Sequence, residues 1–254
     1  IGSHEVRGRT LGIVGYGNIG AQISVLAEAL GLSVMYYDVA DKLPMGNAHR
    51  CDSLEELLQS VDVVTVHVDG RADNTLLFGE QEFSMMRPRS LFLNLSRGHV
   101  VDVAALADNL RTGHLAGAAV DVYPSEPRSG DEPFVSELQS LDNVILTPHV
   151  GGSTQEAQID IGRYVAGKLI DYSERASTSM SVNLPDITTG ATPGARIGHL
   201  HLNMPGIMAD LNRLVADHGG NVTYQALATR GELGYTVLDL SLIHISEPTR
   251  PLYI

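Results

Sequence analysis

The stretch LGIVGYGNIG, Leu11–Gly20, joins a short apolar run to three glycines, Gly15, Gly17 and Gly20. An apolar run of this length fits a buried parallel strand. Gly15 permits the tight turn that leaves the strand. Gly17 lets backbone come close to a pyrophosphate, and Gly20 lets the next helix pack on the sheet. That helix is expected from Asn18 to about Leu30, with its N-terminal amides and dipole facing the phosphates. A second strand, Ser33–Tyr37, ends at Asp38, an acid about 20 residues beyond the glycines, where a ribose-binding carboxylate belongs. No arginine stands directly beside Asp38, so NAD is expected over NADP.

Outward from this unit, apolar runs recur at 63–68, 91–95, 116–122 and 143–147. Helical stretches lie between them at Ser53–Gln59, Glu80–Met86 and Asp102–Thr112. The six runs alternate with helices, which predicts an α/β fold: a doubly wound parallel sheet of Rossmann type over residues 1–152. Ligands in such a sheet sit beyond the carboxyl ends of the strands. There the sequence places Asp38, His67 and Val68, Leu95, Ser96 and Arg97, Asp121 and His149. His67 is expected to pack beneath the cofactor loop.

Two of these positions, Arg97 and His149, carry chemistry together with a third residue, Glu126. Arg97, in Asn94-Leu95-Ser96-Arg97-Gly98, offers a planar fork that can hold a carboxylate with two hydrogen bonds. His149, in Thr147-Pro148-His149-Val150-Gly151-Gly152, is a proton acceptor suited to neutral pH. Glu126, in Tyr123-Pro124-Ser125-Glu126-Pro127, is the candidate to fix its tautomer. Each alone would be an ordinary surface residue. Together, after successive strands of one sheet, they form a catalytic set.

Composition narrows the class. The chain has 254 residues, 43% of them hydrophobic, and a formal charge of −13. That charge argues against nucleic acid and against anionic membranes as partners. Cys51 is the only cysteine, so there is no disulfide framework. With neither a signal peptide nor an apolar run of transmembrane length, the expected compartment is the cytoplasm. No metal site is expected.

Beyond Gly152 the sequence changes. A capping box, Ser153 to Glu156, opens a helix over 153–173, with Ile161, Val165 and Leu169 on one face. Residues 174–194 are rich in Ser, Thr, Pro and Gly and read as a linker. A strand–helix–strand–strand pattern then covers 195–240, one helix and one strand short of a ferredoxin-like unit.

The motifs GYGNIG (15–20), YYD (36–38), NLSRG (94–98), HLAGAAVDVYPSEP (114–127) and LTPHVGGSTQEAQ (146–158) resemble the D-isomer-specific 2-hydroxyacid dehydrogenases. The branch most resembled acts on 3-phosphoglycerate in serine biosynthesis. The resemblance implies that Arg97 binds the substrate carboxylate, His149 is the acid/base and Glu126 is its partner. It places Asn18, Ile19, Asp38, Ser96, Asp121, Gly151 and Gly152 around the cofactor, with Asp121 at the nicotinamide carboxamide. His199–Gly206 (HLHLNMPG) resembles the start of an ACT domain, which in that branch binds L-serine at a subunit interface. His201, Asn203, Gly206 and Asn221 fall on the matching effector positions, and a homo-oligomer is implied. Leu202 and Met204 stand where charged residues are common in the family, and Asp69 where proline is.

The resemblance further implies that the first half of the substrate domain lies outside this chain. Helix 153–173 would then expose an apolar stripe. Residues 241–254, beginning SLIHISEPTR, leave the ACT pattern and read as a translated library adapter. Two other enzymes-or-binders fit the nucleotide motifs: a glyoxylate/hydroxypyruvate-type reductase, or a non-catalytic NAD-sensing partner protein. The ACT-like segment argues against both. The chain taken alone is expected to bind NAD and an amino acid with little turnover.

Overall fold

The structure is a computed structural model that describes residues 4–127, 129, 131–192 and 194–241. The chain divides into two compact units, 1–154 and 155–254.

In the first unit, strands β1 (Thr10–Val14), β2 (Ser33–Tyr37), β3 (His49–Arg50), β4 (Val63–Val66), β5 (Leu91–Asn94), β6 (Gly117–Val120) and β7 (Val144–Leu146) form one parallel sheet. Its order is β3-β2-β1-β4-β5-β6-β7, so the strand order reverses between β1 and β4. A ligand crevice belongs at that switch point. Helices α1 (Asn18–Ala29), α2 (Leu54–Ser60), α3 (Glu80–Met85) and α4 (Val103–Arg111) connect the strands. Successive residues of β1 go to opposite faces: Ile13 joins the smaller core with Tyr16, Val34 and Tyr36, and Val14 the larger one. The larger core centres on Phe78, Phe83 and Phe92, whose rings lie 5.0–5.9 Å apart.

The sheet has seven strands where the sequence predicts six. The additional one, β3, is two exposed polar residues pairing with Met35 and Tyr36 at the sheet edge. No apolar run marks it. Asp102, expected inside α4, is instead its cap: its carboxylate accepts the Ala104 and Ala105 amides.

In the second unit, α5 (Gln155–Arg175) has no buried residue, and Ile161, Val165 and Leu169 are each about half exposed or more. Strand β8 (Ala195–Leu202), helix α6 (Ile207–Asp217) and strands β9 (Asn221–Arg230) and β10 (Leu233–Ser241) follow. The antiparallel order β8-β10-β9 puts the last strand in the centre. The stretch with linker composition is folded onto this sheet. Thr178 binds the Pro185 carbonyl and the Ile187 amide through its hydroxyl, and Ile187 packs on Tyr235 and Val237. Arg196 holds Asp239 through two bonds of 2.6 and 2.7 Å and also donates to the Arg175 and Gly190 carbonyls. Residues 242–254, most of the stretch with the adapter-like sequence, lie outside the described residues.

Candidate active site

The turn after β1 has the geometry its glycines require. Gly15 sits at φ +92°, and a Cβ there would lie 2.7 Å from the His67 carbonyl carbon. A Cβ on Gly20 would lie 2.2 Å from the Gly15 oxygen. Gly17 differs: a Cβ there meets nothing within 4 Å. Gly17 also caps α1 without a side-chain bond, and the first turn carries no acid. The result is an open cradle of uncapped amides, bordered by exposed Asn18 and Ile19. Half-buried Asp38 follows β2 beside it. Its Oδ2 accepts the Tyr16 amide at 2.7 Å and its Oδ1 the Ala40 amide at 2.8 Å. Helix-end amides with a fixed carboxylate nearby fit the diphosphate and ribose of a dinucleotide. Among the described residues, Arg71, in the loop after β4, is ion-paired with Asp69 at 2.8 Å, not with Asp38.

His67 leaves β4 half-buried, with Nε2 3.0 Å from the Thr65 hydroxyl, and burial lowers its pKa. Val68 is half-buried beside it. After β5, Leu95 is exposed, Ser96 is buried, and Arg97 is exposed. The Arg97 guanidinium donates to the Ser96 carbonyl at 2.7 Å and has no acidic partner among the described residues. In a chain of net charge −13 an arginine without an acidic partner at a strand end is a candidate anion-binding group. Gly98 follows it against Tyr123, where a Cβ would overlap the Tyr123 carbonyl carbon at 1.9 Å. The Arg97 turn is therefore wedged against the loop that carries Glu126.

That loop meets His149. Nδ1 of His149 lies 2.9 Å from Glu126 Oε2 and 3.1 Å from Oε1. Oε1 also accepts the Tyr123 amide at 3.0 Å. Burial raises the Glu126 pKa, but the bonds from His149 and Tyr123 outweigh it, and the carboxyl stays below its usual range. His149 itself has φ +54°, a left-handed conformation uncommon outside glycine, imposed by the turn that follows Pro148. Asp121 anchors this turn. Its carboxylate accepts the Thr147 hydroxyl at 2.6 Å and the Val150 and Gly151 amides at 3.0 and 3.2 Å. Burial again opposes ionisation, and these bonds together with His149 reverse it. Three internal bonds leave about one of a carboxylate's four acceptor positions for a ligand. Gly151 and Gly152 are exposed beyond it. A cleft of about 440 Å³ opens beside the Glu126–His149 pair, walled by Tyr123, Phe134, Leu146 and Pro148.

Two residues here escape the sequence reading. Asn94 is 1% exposed and bonds to both Ser96 and Arg97. The Tyr123 hydroxyl lies 2.9 Å from both the Val120 and Thr147 carbonyls, tying β6 to β7. A polar residue inside an apolar strand was the available signal for Asn94; Tyr123 carried none.

In the second unit, His201 Nε2 lies 2.9 Å from the Thr236 hydroxyl, its ring stacked with His199 at 5.4 Å. The Asn203 amide nitrogen donates to the Gly231 carbonyl at 3.3 Å. Gly206 begins α6 at φ +91°. Asn221 is elsewhere. His201 pairs with Gly234 of β10 and Asn221 with Ser241, some seven residues away, or about 23 Å along a strand. One chain does not bring Asn221 to His201.

Residues 1–151 match the family model described as "D-isomer specific 2-hydroxyacid dehydrogenase, NAD binding domain". Residues 197–244 match an "AHAS small subunit-like ACT domain". The D-3-phosphoglycerate dehydrogenase of Escherichia coli K12 is 49% identical over 239 residues, covering 94% of this chain and 58% of that protein. The protein of the same name from Dictyostelium discoideum is 47% identical, covering 93% and 58%. Among solved structures, the apo D-mandelate dehydrogenase of Rhodotorula graminis is similar with a TM-score of 0.61 at 32% identity, over 75% of this chain and 53% of that one. A D-2-hydroxyisocaproate dehydrogenase reaches a TM-score of 0.63 at 29% identity, over 70% and 57%. The chain thus spans 58% of the length of the two curated relatives.

Proposed function

This chain belongs to the D-isomer-specific 2-hydroxyacid dehydrogenases, and from that membership we propose that it serves the NAD-dependent oxidation of 3-phospho-D-glycerate to 3-phosphohydroxypyruvate, the first step of serine biosynthesis. The observation that carries the proposal is His149, held at Nδ1 by Glu126. With Nδ1–H donating to the carboxylate, Nε2 is left as the acceptor. It takes the proton of the substrate hydroxyl, and Glu126 steadies the imidazolium. Arg97, whose Nη1 rests on the Ser96 carbonyl, grips the substrate carboxylate with its guanidinium fork. A bound nicotinamide would supply the acceptor for the hydride that leaves C2 of the hydroxy acid. Gly15, Gly17, Asn18, Ile19 and Gly20 hold the diphosphate, and Asp38 the ribose. His67, Val68, Leu95, Ser96, Asp121, Gly151 and Gly152 line the rest of the cofactor site. The ACT match and the names of the relatives favour this substrate over glyoxylate or hydroxypyruvate.

The test uses a fusion of this chain with the portion of the Escherichia coli relative that it does not cover. NADH formation from 3-phosphoglycerate is expected, and Arg97→Lys is expected to raise KM by about tenfold or more with a smaller change in kcat. A fusion that forms no NADH, or an Arg97→Lys variant with unchanged KM, would count against the proposal.

The glycine cradle gives a separate expectation. Gly17→Ala leaves the fold within about 1 kcal/mol, since the methyl meets only open space. NADH affinity should nonetheless fall at least about tenfold, because the methyl stands where the diphosphate approaches. Gly20→Ala should instead destabilise the protein without cofactor, because its methyl meets the Gly15 carbonyl. Melting and fluorescence titration of both variants separate the two effects.

For the second unit we propose L-serine as effector, bound by His201, Asn203 and the helix start at Gly206 of one chain with Asn221 of another. The distance between His201 and Asn221 within a chain supports a homo-oligomeric site. Calorimetry with serine is expected to show binding that His201→Ala removes, and serine should raise the sedimenting mass. Binding by a monomer would contradict the shared site. A cytoplasmic protein is proposed; among the described residues no helix is long and apolar enough to cross a membrane, and no group of three metal-ligating side chains occurs.

A further inference from the structure

We propose that Asn94 is the positioning residue for the carboxylate clamp, setting where Arg97 points. The inference rests on the reading of Arg97 as the substrate's carboxylate partner. Asn94 is the last residue of β5, 1% exposed, beneath the turn that carries Arg97. Its Oδ1 accepts the Ser96 amide at 3.1 Å and the Ser96 hydroxyl at 2.9 Å, filling both lone pairs. Its Nδ2 donates to the Arg97 carbonyl at 3.1 Å. Its backbone oxygen accepts the Asp121 amide at 3.0 Å, tying the same residue to the strand end that anchors the His149 turn. The amide can face only one way, oxygen toward the Ser96 N–H and nitrogen toward the Arg97 carbonyl. Of side chains this size, only an amide or a protonated carboxyl offers an acceptor for two donors and a donor for one carbonyl.

The consequence falls on Arg97. Its carbonyl is held from inside by Asn94, and the next residue, Gly98, is blocked against Tyr123. With both ends of its peptide fixed, the exposed side chain starts from one direction at the mouth of the site. The bonds of the Asn94 side chain all close this four-residue turn and none reaches the hydrophobic core, so what they fix is the turn.

Asn94→Asp tests this with a built-in switch. The substituted carboxyl keeps the shape. Protonated, it can donate to the Arg97 carbonyl as the amide does; ionised, it repels that carbonyl. The readout is the Nε–H NMR signal of Arg97 in the fusion enzyme described above, assigned by its loss in Arg97→Lys, with 3-phosphoglycerate as titrant. At pH 8 the variant's signal is expected to move toward that of a free arginine. Its dissociation constant for 3-phosphoglycerate should weaken about tenfold to a hundredfold relative to the native chain at the same pH. Burial and the facing Arg97 carbonyl favour the neutral carboxyl, so at pH 5 both should return toward the native values, with NADH affinity within about twofold throughout, as befits a turn whose Ser96 side is intact. Asn94→Ser buries no charge and cannot span to the Arg97 carbonyl, so it should show the displaced signal at both pH values. A native Arg97 signal and native affinity in Asn94→Ser, or an Asn94→Asp defect that ignores pH, would overturn the proposal. If the native Arg97 signal ignores 3-phosphoglycerate while the Asn94 variants still displace it, the substrate reading fails and the positioning role stands.

Discussion

Replacing His149 by alanine is expected to lower kcat for 3-phosphoglycerate by about 10² to 10⁴ in the fusion enzyme while leaving NADH affinity nearly unchanged. The imidazole is paired with Glu126 at Nδ1, which leaves Nε2 to take a proton. Its position is specified twice, by Glu126 at Nδ1 and by the Asp121-anchored turn that holds it at φ +54°. Glu126→Gln should therefore also cost rate, because an amide can present its nitrogen to Nδ1 and favour the wrong tautomer. Neither variant should alter melting greatly, since both side chains are well exposed, 45% for His149 and 36% for Glu126. Steady-state kinetics with NADH titrations alongside are the check. A His149→Ala enzyme with near-native kcat would remove His149 from the chemistry.

Arg196→Met is expected to destabilise the second unit by about 3–5 kcal/mol. Both partners of the Arg196–Asp239 pair are 9% exposed, and the bond is bidentate, so removing the guanidinium strands a buried carboxylate. The same change frees the Arg175 and Gly190 carbonyls that Arg196 holds. The double change Arg196→Met with Asp239→Leu should recover much of the loss, because it removes the buried charge as well. The pair also predicts an acid transition. The Arg196 hydrogen bonds, foremost, hold the Asp239 carboxyl below its usual range. A lowered folded-state pKa gives stability that is complete above the unfolded value of about 3.9 and is lost as pH falls through the folded one. Below about pH 4 the second unit should thus weaken in the native chain, and the double variant should lack this component of the acid loss. Hydrogen exchange resolved to residues 176–241 distinguishes the effect from changes in the first unit.

The glycine run, the acid at Asp38 and the alternating apolar runs made the first unit legible, because a doubly wound sheet repeats one local grammar of buried strand, turn and helix. What they could not mark was β3, whose His49 and Arg50 join the sheet through backbone bonds alone. Arg97, Glu126 and His149 were legible as a set for a related reason: each follows a strand, and strand ends of one sheet converge. The residues that hold them were harder to see. Asn94 acts through three bonds to residues two and three positions away, a pattern that composition and period do not register. In the second unit, Ser, Thr, Pro and Gly in 174–194 signal turns, and turns are there. The same letters did not disclose that Thr178 and Ile187 tie the segment onto a sheet formed by residues further along the chain. The strand pattern likewise marked β8 to β10 but neither the central place of β10 nor the register on it that separates His201 from Asn221.

An NAD site built on Leu11–Gly20 and Asp38 should bind cofactor in this chain by itself. Fluorescence titration of the chain with NADH and with NADPH tests it most directly. NADH is expected to bind at least about tenfold more tightly, because the Asp38 carboxylate accepts ribose hydroxyls and repels a 2′-phosphate. Equal or tighter binding of NADPH, or no binding of NADH at all, would contradict it.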